Sequence, residues 1–276
     1  MKKIERLGII AGNGDLPLSI LEECKKQGIT PFIAMVKGFA DTEKYKDFKN
    51  IEISFGNVGK TISFFKKNKV NNIVFAGGVK KPNIKTIFPD FKGFFLLFKL
   101  LKNKVFGDDT ILQTVIQFLE NEGLNVLPVD EILSDVKIKN GIAGNIKLPN
   151  NDYIQDIELG VKVLKQISDL DIGQSIVIQN GIVIGIECIE GTEKLIERCG
   201  ELKYTTGRKP ILVKIKKTNQ TKKGDLPSIG KNTVLQVKKA GFAGIAFDCN
   251  NGLVINKKAV INSANENKIF VYGINI

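Results

Sequence analysis

The chain contains no histidine, and this absence narrows the chemistry that the protein can perform. Proton transfer and metal binding must use carboxylates, lysine, tyrosine, cysteine or water. Cysteine is also scarce and forms no C-x-x-C pair, which favours small buried side chains in a reducing compartment over metal ligands. The cysteines are Cys24, Cys188, Cys199 and Cys249.

Long hydrophobic runs are absent as well. No stretch approaches the ~18 uncharged apolar residues of a membrane-spanning helix, and the apolar segment near the N-terminus is too short for a signal peptide. We therefore expect a cytoplasmic protein. The net charge of +12 makes nucleic acids, anionic lipids and phosphorylated metabolites candidate partners, although dispersed surface lysines account for it equally well.

The first 135 residues alternate between strand patterns and helical patterns. This alternation is typical of an α/β fold, and it predicts an N-terminal Rossmann-like domain with a parallel sheet and helices over residues 1–135. The predicted strands are 7–11, 31–36, 51–55 and 73–76, and the predicted helices are 18–26, 59–67 and 109–122.

The second half has a different organisation. Residues 136–151 are polar and contain glycine, which predicts a linker, and residues 152–276 have the pattern of a C-terminal α+β domain. Asn180-Gly181 lies between two β-rich runs and predicts a hairpin with a type I′ turn. The other predicted elements are helices at 153–167, 192–197 and 233–239 and strands at 211–215, 242–247, 253–255 and 269–272.

A glycine turn, Gly12-Asn13-Gly14, follows the first predicted strand and precedes a helix that Asp15 and Pro17 open. Such a turn lets backbone N–H groups approach a phosphate, and the positive end of the helix dipole favours the charge. The third glycine of a dinucleotide fingerprint is replaced by Pro17, and no acidic residue ends the second strand, so a nicotinamide-dependent oxidoreductase is disfavoured. Gly77-Gly78 follows another strand at the same predicted edge of the sheet.

Two further motifs have alternative readings. Residues 56–61 resemble a phosphate-binding loop but carry Ser54 where the first glycine is required, so Lys60 is either a phosphate contact or a solvated side chain. Asp108 and Asp109 follow Gly107 at the start of a predicted helix. They are candidate Mg²⁺ ligands, and on their own they are better explained as a helix cap with a favourable charge.

Residues 88–101 combine phenylalanine at helical spacing with flanking lysines. A basic aromatic helix of this kind lies on an anionic membrane or covers an acyl chain, and the competing interpretation is a helix docked on the core.

Polar clusters at 187–193 and 214–225 suit phosphoryl chemistry, since lysines neutralise phosphate oxygens and an aspartate holds a metal. Solvated charged loops explain these clusters equally well.

Several segments occur in an order that resembles one family. They are GIIAGNGDLP, AGGVKKP, GDD at 107–109, DIGQSIVIQNGIVIGIECIEGTEKLI, DLPSIG and GFAGIAF. Together they cover residues 7–273 and resemble the LpxI-type UDP-2,3-diacylglucosamine pyrophosphatases of lipid A biosynthesis. The resemblance implies Mg²⁺- or Mn²⁺-dependent attack of water on the α-phosphorus of the UDP-lipid, giving UMP and 2,3-diacylglucosamine 1-phosphate (lipid X). It also implies substrate binding in a cleft, a homodimer, and a peripheral position on the inner membrane.

The resemblance also assigns roles to residues. Asp225 matches the aspartate of the family's DLP motif, which implies a catalytic role and a part in metal binding. Phe94 and Phe98 become candidates for acyl-chain or membrane contact. The residues that the resemblance places at the substrate are Gly12, Asn13, Gly14, Gly77, Gly78, Gly107, Asp108, Asp109, Gln174, Glu190, Gly191, Thr192 and Lys214.

This chain departs from the family pattern just before Asp225. Thr221 replaces an acid, Lys223 replaces an arginine, and Thr218 replaces a proline. A possible metal ligand is therefore missing, and a bidentate phosphate contact is replaced by a point charge. Two other functions are compatible with the sequence. One is a Rossmann-type nucleotide-binding protein or oxidoreductase, and the other is a non-catalytic basic protein that binds anionic lipid or nucleic acid. No nucleic-acid-binding motif is present, so we expect no nucleic-acid partner.

Overall fold

A computed structural model describes residues 4–80, 86–102, 108–218, 220–224 and 226–276, without the side chains of residues 108 and 109. The chain divides into two compact units. Unit 1 comprises Met1–Leu133 and Thr221–Asp225, and unit 2 comprises Ser134–Gln220 and Leu226–Ile276.

Unit 1 contains a parallel sheet of five strands in the order β3-β2-β1-β4-β5, which confirms the predicted N-terminal architecture. This order is that of a doubly wound sheet, in which ligands bind at the carboxyl ends of the strands. Four strands lie within two residues of their predicted positions, and the two-residue β5 was not predicted. The strands are β1 Arg6–Ala11, β2 Thr30–Val36, β3 Lys49–Ile53, β4 Asn72–Ala76 and β5 Asn125–Val126.

The helices of unit 1 cover the sheet with apolar side chains such as Ile62 and Phe65, which are buried. Gly28 ends the first helix with φ 69°, the left-handed conformation that glycine adopts without cost. Phe88, predicted within the third helix, lies before it, because Pro89 and Asp90 begin the helical turn there. The helices are α1 Leu16–Gln27, α2 Val58–Lys67, α3 Phe91–Lys102 and α4 Asp108–Asn121.

Unit 2 contains a mixed sheet in the order β6-β13-β11-β9-β7-β8, which confirms a second domain of α+β type. Its three central strands, β13, β11 and β9, are parallel, and the strands on either side are antiparallel to their neighbours. A separate parallel pair is formed by β10 and β12. The strands are β6 Gly141–Ala143, β7 Ser175–Gln179, β8 Ile182–Ile186, β9 Ile211–Lys214, β10 Ser228–Ile229, β11 Gly244–Asp248, β12 Leu253–Val254 and β13 Phe270–Ile274.

Helices cover both faces of this sheet. One core contains Tyr153 and Leu164 from the first helix of the unit, and the opposite core contains Leu195, Val234 and Val260 from the other three helices. The last of these helices was not predicted, because its sequence is rich in asparagine and lysine. The helices are α5 Asp152–Ile167, α6 Gly191–Leu202, α7 Lys231–Lys239 and α8 Lys257–Asn267.

The predicted hairpin is present between β7 and β8. Asn180 and Gly181 have φ values of 55° and 75°, as a type I′ turn requires at both central positions. Within 136–151, the segment predicted as a linker, β6 pairs with β13 at the edge of the sheet. The domain limits of the sequence analysis remain a prediction. In the part of the chain that is described, no helix combines the length and apolarity needed to cross a bilayer.

Candidate functional site

The two glycine turns of unit 1 lie side by side. Because β1 and β4 are parallel neighbours, Gly12-Asn13-Gly14 and Gly77-Gly78 leave the sheet at the same edge. The Asn13 N–H donates to the Gly78 carbonyl oxygen at 2.8 Å, and the Gly78 N–H donates to the Asn13 carbonyl oxygen at 2.9 Å. The structure therefore brings these five predicted residues together at the edge where doubly wound sheets bind ligands.

Close backbone contact explains part of the glycine content of these turns. Gly77 has φ 90°, and a Cβ atom there would overlap the Asn13 carbonyl oxygen. A Cβ atom on Gly12 would lie 2.6 Å from the Gly78 carbonyl oxygen. Gly14, in contrast, has φ 94° and faces open space beside the start of α1. The exposed side of the turn is thus Asn13 and Gly14, and their role in substrate binding remains a prediction.

The start of α2 already binds an anion of the protein itself. The Asp90 carboxylate accepts hydrogen bonds from the N–H groups of Gly59, Lys60 and Gly93 at 2.8–3.0 Å. Burial acts to raise the pKa of Asp90, but these backbone donors together hold it below its ordinary value. The Lys60 ammonium donates to the Glu52 carbonyl oxygen at 3.0 Å. This geometry favours a structural role for Lys60 over a phosphate contact.

A second group of predicted residues lies at one edge of the unit 2 sheet. Lys214 ends β9 and pairs with Ser175 at the start of the antiparallel β7. The N–H of Ile215 donates to the carbonyl oxygen of Gln174 at 3.0 Å, which holds Gln174 beside Lys214. Gly191 and Thr192 form the first turn of α6, which follows β8. Four predicted residues, Gln174, Gly191, Thr192 and Lys214, therefore come together.

One hydroxyl group links the two buried charges of this edge. The Lys214 ammonium donates to Thr192 Oγ1 at 2.9 Å, and Thr192 Oγ1 donates to Glu187 Oε1 at 2.9 Å. Lys214 is 7% exposed and Glu187 is 8% exposed. Ser175 Oγ lies 3.3 Å from the same Thr192 oxygen. Thr192 thus joins a cation and an anion that do not contact each other directly.

This network leaves hydrogen-bonding capacity unused. Among the residues that the structure describes, Lys214 has Thr192 as its side-chain partner and no carboxylate within 4.0 Å, and Glu187 Oε2 is buried without a partner. An ammonium has three donors, so two remain for an acceptor such as a phosphate oxygen. The first turn of α6 adds N–H groups and the positive end of a helix dipole.

Glu190, another predicted substrate-binding residue, is paired with Arg198. Arg198 donates to Glu190 Oε1 at 2.7 Å and to the Ile186 carbonyl oxygen at 3.1 Å. The hydrogen bond from Arg198 lowers the pKa of Glu190, so the carboxylate stays ionised and paired. Glu190 therefore fixes α6 to the end of β8, and its predicted contact with substrate is untested.

The segment before Asp225 packs on α4. The Lys223 ammonium donates to Glu120 Oε1 at 2.6 Å, and the Lys223 N–H donates to Thr221 Oγ1 at 3.2 Å. A Cβ atom on Gly224 would lie 2.7 Å from Leu112 Cδ2, which shows how closely this segment approaches the first turns of α4. Two of the three departures that the resemblance implies, Thr221 and Lys223, lie in this packed segment.

Several predicted residues lie outside the described part of the chain. They are Asp225, Gly107 and the side chains of Asp108 and Asp109. In the remainder, no three histidine, cysteine, aspartate or glutamate side chains form a group that could hold a metal ion. The described residues therefore do not make a metal site by themselves.

Phe94 and Phe98, predicted to contact acyl chains or a membrane, lie on α3 and are each 58% exposed. The opposite side of the helix packs inward through Gly93 and Leu96, which are buried. The docked helix and the exposed aromatic face, two competing interpretations of the sequence, are thus both present.

Sequence reasoning missed some residues that organise these sites. Glu187 belongs to a polar cluster visible in the sequence, but only the sheet order brings it to Lys214. Ser175 could have been found from the hairpin register, since it begins the strand that the Asn180-Gly181 turn defines. Glu120 gives no local signal, because its partner Lys223 is 103 residues away. Asp90 has one local partner, the Gly93 N–H, but its partners at the start of α2 are 30 or more residues away.

Comparison with known proteins places the whole chain in one family. The LpxI N-terminal domain matches residues 6–136, and the LpxI C-terminal domain matches residues 139–272. The chain is 30% identical to the UDP-2,3-diacylglucosamine pyrophosphatase LpxI of Caulobacter vibrioides, in an alignment of 276 positions that covers 98% of each protein. Both halves and their order agree with the resemblance found in the sequence, and the chain belongs to the LpxI family.

Proposed function

We propose that the protein hydrolyses the pyrophosphate of UDP-2,3-diacylglucosamine in lipid A biosynthesis. Water attacks the α-phosphorus, and the products are UMP and 2,3-diacylglucosamine 1-phosphate. The observation that carries this proposal is the match to a pyrophosphatase of that substrate over 98% of both chains. The absence of histidine is compatible with it, since phosphoryl transfer depends on charge neutralisation and positioning.

Lys214 is the residue of unit 2 best suited to the substrate phosphates. It is buried, it has unused donors, and it lies beside the first turn of α6. Glu187 acts on it through Thr192: the Thr192 hydroxyl donates a hydrogen bond to the carboxylate and accepts one from the ammonium. Glu187 is therefore a positioning residue that orients the Lys214 ammonium through the Thr192 hydroxyl.

Asp225 is the proposed catalytic residue. The support is its position in the DLP motif and the packing of residues 221–224 on α4. The Lys223–Glu120 ion pair and the Gly224–Leu112 contact hold the two residues before Asp225 on α4. Preorganisation of this kind supports the positioning of a reacting group.

We propose a requirement for Mg²⁺ or Mn²⁺, with Asp225 as a ligand and Asp108 and Asp109 as candidates. Carboxylate oxygens are the ligands that these cations prefer. The described residues alone do not fit such an ion, so the proposal depends on these three aspartates. When bound, the cation supplies charge neutralisation at the phosphates and activation of water. A homodimer and a peripheral position at the inner leaflet complete the proposal.

The test is release of UMP from UDP-2,3-diacylglucosamine dispersed in detergent by the purified protein. We expect release with Mg²⁺ or Mn²⁺, loss of release with EDTA, and recovery when the metal is returned. Asp225→Ala removes activity if the proposed role is correct, and Asp130→Ala, an exchange of another aspartate of unit 1, serves as the matched control. Nucleotide products are separated by anion-exchange chromatography.

Each result has a distinct meaning. Release by the Asp225→Ala protein at the wild-type rate refutes the catalytic role of that residue. Release that is unaffected by EDTA refutes the metal requirement. No release by a folded wild-type protein refutes the proposed reaction itself.

A further inference from the structure

The outward face of α3 is apolar where a surface helix normally carries charge. Four phenylalanines and one leucine of this helix are 50–80% exposed, and Phe88 just before it is 88% exposed. At 100° per residue, the helical members fall within an arc of about 120°. They are Phe91, Phe94, Phe95, Phe98 and Leu101, and together with Phe88 they are named the α3 face.

The helix is docked on unit 1 in a way that fixes this face outward. Gly93 and Leu96 are buried, and a Cβ atom on Gly93 would overlap the Gly56 carbonyl oxygen. Rotation of the helix would therefore replace a close backbone contact with a side chain. Lys92 forms an ion pair with Glu122, directly after α4, and Lys99 donates to Gln117 Oε1 of α4 at 3.1 Å. These contacts also hold the helix in this orientation.

The charged residues of α3 itself have a single sign, and the neighbouring acid Glu122 is ion-paired with Lys92 and Lys66. Residues 91–102 contain lysine at positions 92, 99 and 102 and no acidic residue. The acid that precedes them, Asp90, is occupied by three backbone N–H groups, and α2 ends in Lys66 and Lys67. An aromatic stripe bordered by lysines is complementary to the headgroups and the outer acyl region of an anionic bilayer.

We propose that the α3 face is the surface by which this protein binds an anionic phospholipid bilayer. The inference deepens the proposed function, since it names the surface that brings the enzyme to a lipid substrate. The phenyl rings enter the boundary between headgroups and acyl chains, and the lysines lie at the phosphates. Rings already stacked edge to face, such as Phe91 and Phe95 at 5.0 Å, present a preorganised contact.

Another copy of the chain is a less suitable occupant. A helix of 12 residues is about 18 Å long, so its stripe is far smaller than the ~800 Å² per partner of a stable interface. Lysines from two copies would also repel each other. A bilayer has neither restriction, because it meets any convex apolar surface and supplies the opposite charge.

The experiment is cosedimentation of the full chain with vesicles, either of phosphatidylcholine alone or of phosphatidylcholine with phosphatidylglycerol. We expect the wild type to bind the anionic vesicles at least about tenfold more tightly, and to lose most of this binding at about 0.3 M salt. The double variant Phe91→Ser with Phe95→Ser should bind these vesicles at least about tenfold more weakly than the wild type. The matched control, Leu170→Ser with Leu202→Ser, changes two leucines that are 69% and 57% exposed and should bind as the wild type does.

Equal loss of binding in the control, or no binding by the wild type, overturns the proposal. A wild-type dimer that the phenylalanine variant converts to a monomer, without vesicle binding by either, also overturns it and assigns the face to a second copy. Release of UMP from detergent-dispersed substrate separates the two proposals. Vesicle binding without release of UMP supports the α3 face as the membrane-binding surface and refutes the proposed reaction. Release of UMP without vesicle binding supports the reaction and refutes the α3 face as a membrane-binding surface.

Discussion

Lys223 and Glu120 form an ion pair with 2.6 Å between Nζ and Oε1, although 103 residues separate them in the sequence. Glu120 lies on α4, and Lys223 lies two residues before Asp225. The pair ties the segment of the proposed catalytic residue to the helix that begins with Asp108. Lys223, which the sequence resemblance compares with an arginine, thus forms a contact within unit 1.

Breaking this ion pair should affect activity more than stability. Both side chains are more than one third exposed, so we expect Glu120→Gln to lower the free energy of unfolding by no more than about 1 kcal/mol. We expect kcat for UMP release to fall about three- to tenfold with little change in KM, because the loss concerns positioning at the reacting centre. Urea unfolding and steady-state kinetics measure the two effects.

The control is an ion pair with the same Nζ–Oε distance, in unit 2. Lys194 and Glu197 are also 2.6 Å apart, on the surface of α6, and Glu197→Gln should leave kcat unchanged. The exchanged pair Glu120→Lys with Lys223→Glu should recover at least half of the lost rate. A kcat for Glu120→Gln equal to that of the wild type would contradict the positioning role.

Two adjacent glycines should respond differently to the same substitution. Gly77→Ala forces a Cβ atom onto φ 90° and against the Asn13 carbonyl oxygen, so we expect a loss of about 2 kcal/mol or more in the free energy of unfolding. Gly78→Ala meets no atom within 4 Å and should change it by less than about 0.5 kcal/mol. Thermal and urea unfolding of both variants test this contrast, and equal losses would mean that the two turns do not contact as described.

The hydroxyl of Thr192 should be required for the Lys214–Glu187 network. Thr192→Val removes the shared partner of two buried charges, and we expect a loss of about 2–3 kcal/mol in the free energy of unfolding together with at least tenfold lower activity. Thr192→Ser retains the hydroxyl and should recover activity to within a few-fold. If the serine variant is as inactive as the valine variant, the methyl group rather than the network is what matters.

Local signals in the sequence predicted much of the fold. Asn180-Gly181 and Gly28 take up positive φ values for reasons contained in a few residues, and the hairpin and the end of α1 were predicted correctly. The parallel sheet of unit 1 was predicted from the alternation of strand and helix patterns. Helix α8 could not be predicted in this way, since its stability depends on tertiary burial of Val260 and Ala264 rather than on the propensity of its own residues.

The sites were predictable only in part. Placing Lys214 and Thr192 on neighbouring elements required strand positions, which the sequence supplies, but their link to Glu187 depends on side-chain directions at the sheet edge. The contact of Asp90 with the start of α2 shows most clearly where prediction from the sequence fails. A helix cap is normally read from adjacent residues, and this carboxylate comes from 31 residues further along the chain.

Asp90 should make the stability of unit 1 depend on pH. Its folded-state pKa is lowered, because backbone N–H donors outweigh the effect of burial. A lowered pKa contributes stability that is fully present above the unfolded value of about 3.9 and is lost as the pH falls through the folded value. We expect Asp90→Asn to lower the free energy of unfolding by about 1–3 kcal/mol near pH 7, since an amide has one acceptor oxygen where the carboxylate has two.

The measurement is the difference in thermal stability between the wild type and Asp90→Asn from pH 7 down to pH 3. The difference should stay constant down to about pH 5 and shrink below about pH 4, because the protonated wild type then resembles the amide. Asp41→Asn is the matched control: Asp41 is exposed and pairs only with the nearby Lys44 at 3.6 Å among its described ion pairs. A difference for Asp90→Asn that persists unchanged at pH 3 would show that the shape of the side chain, and not its charge, joins α2 to α3.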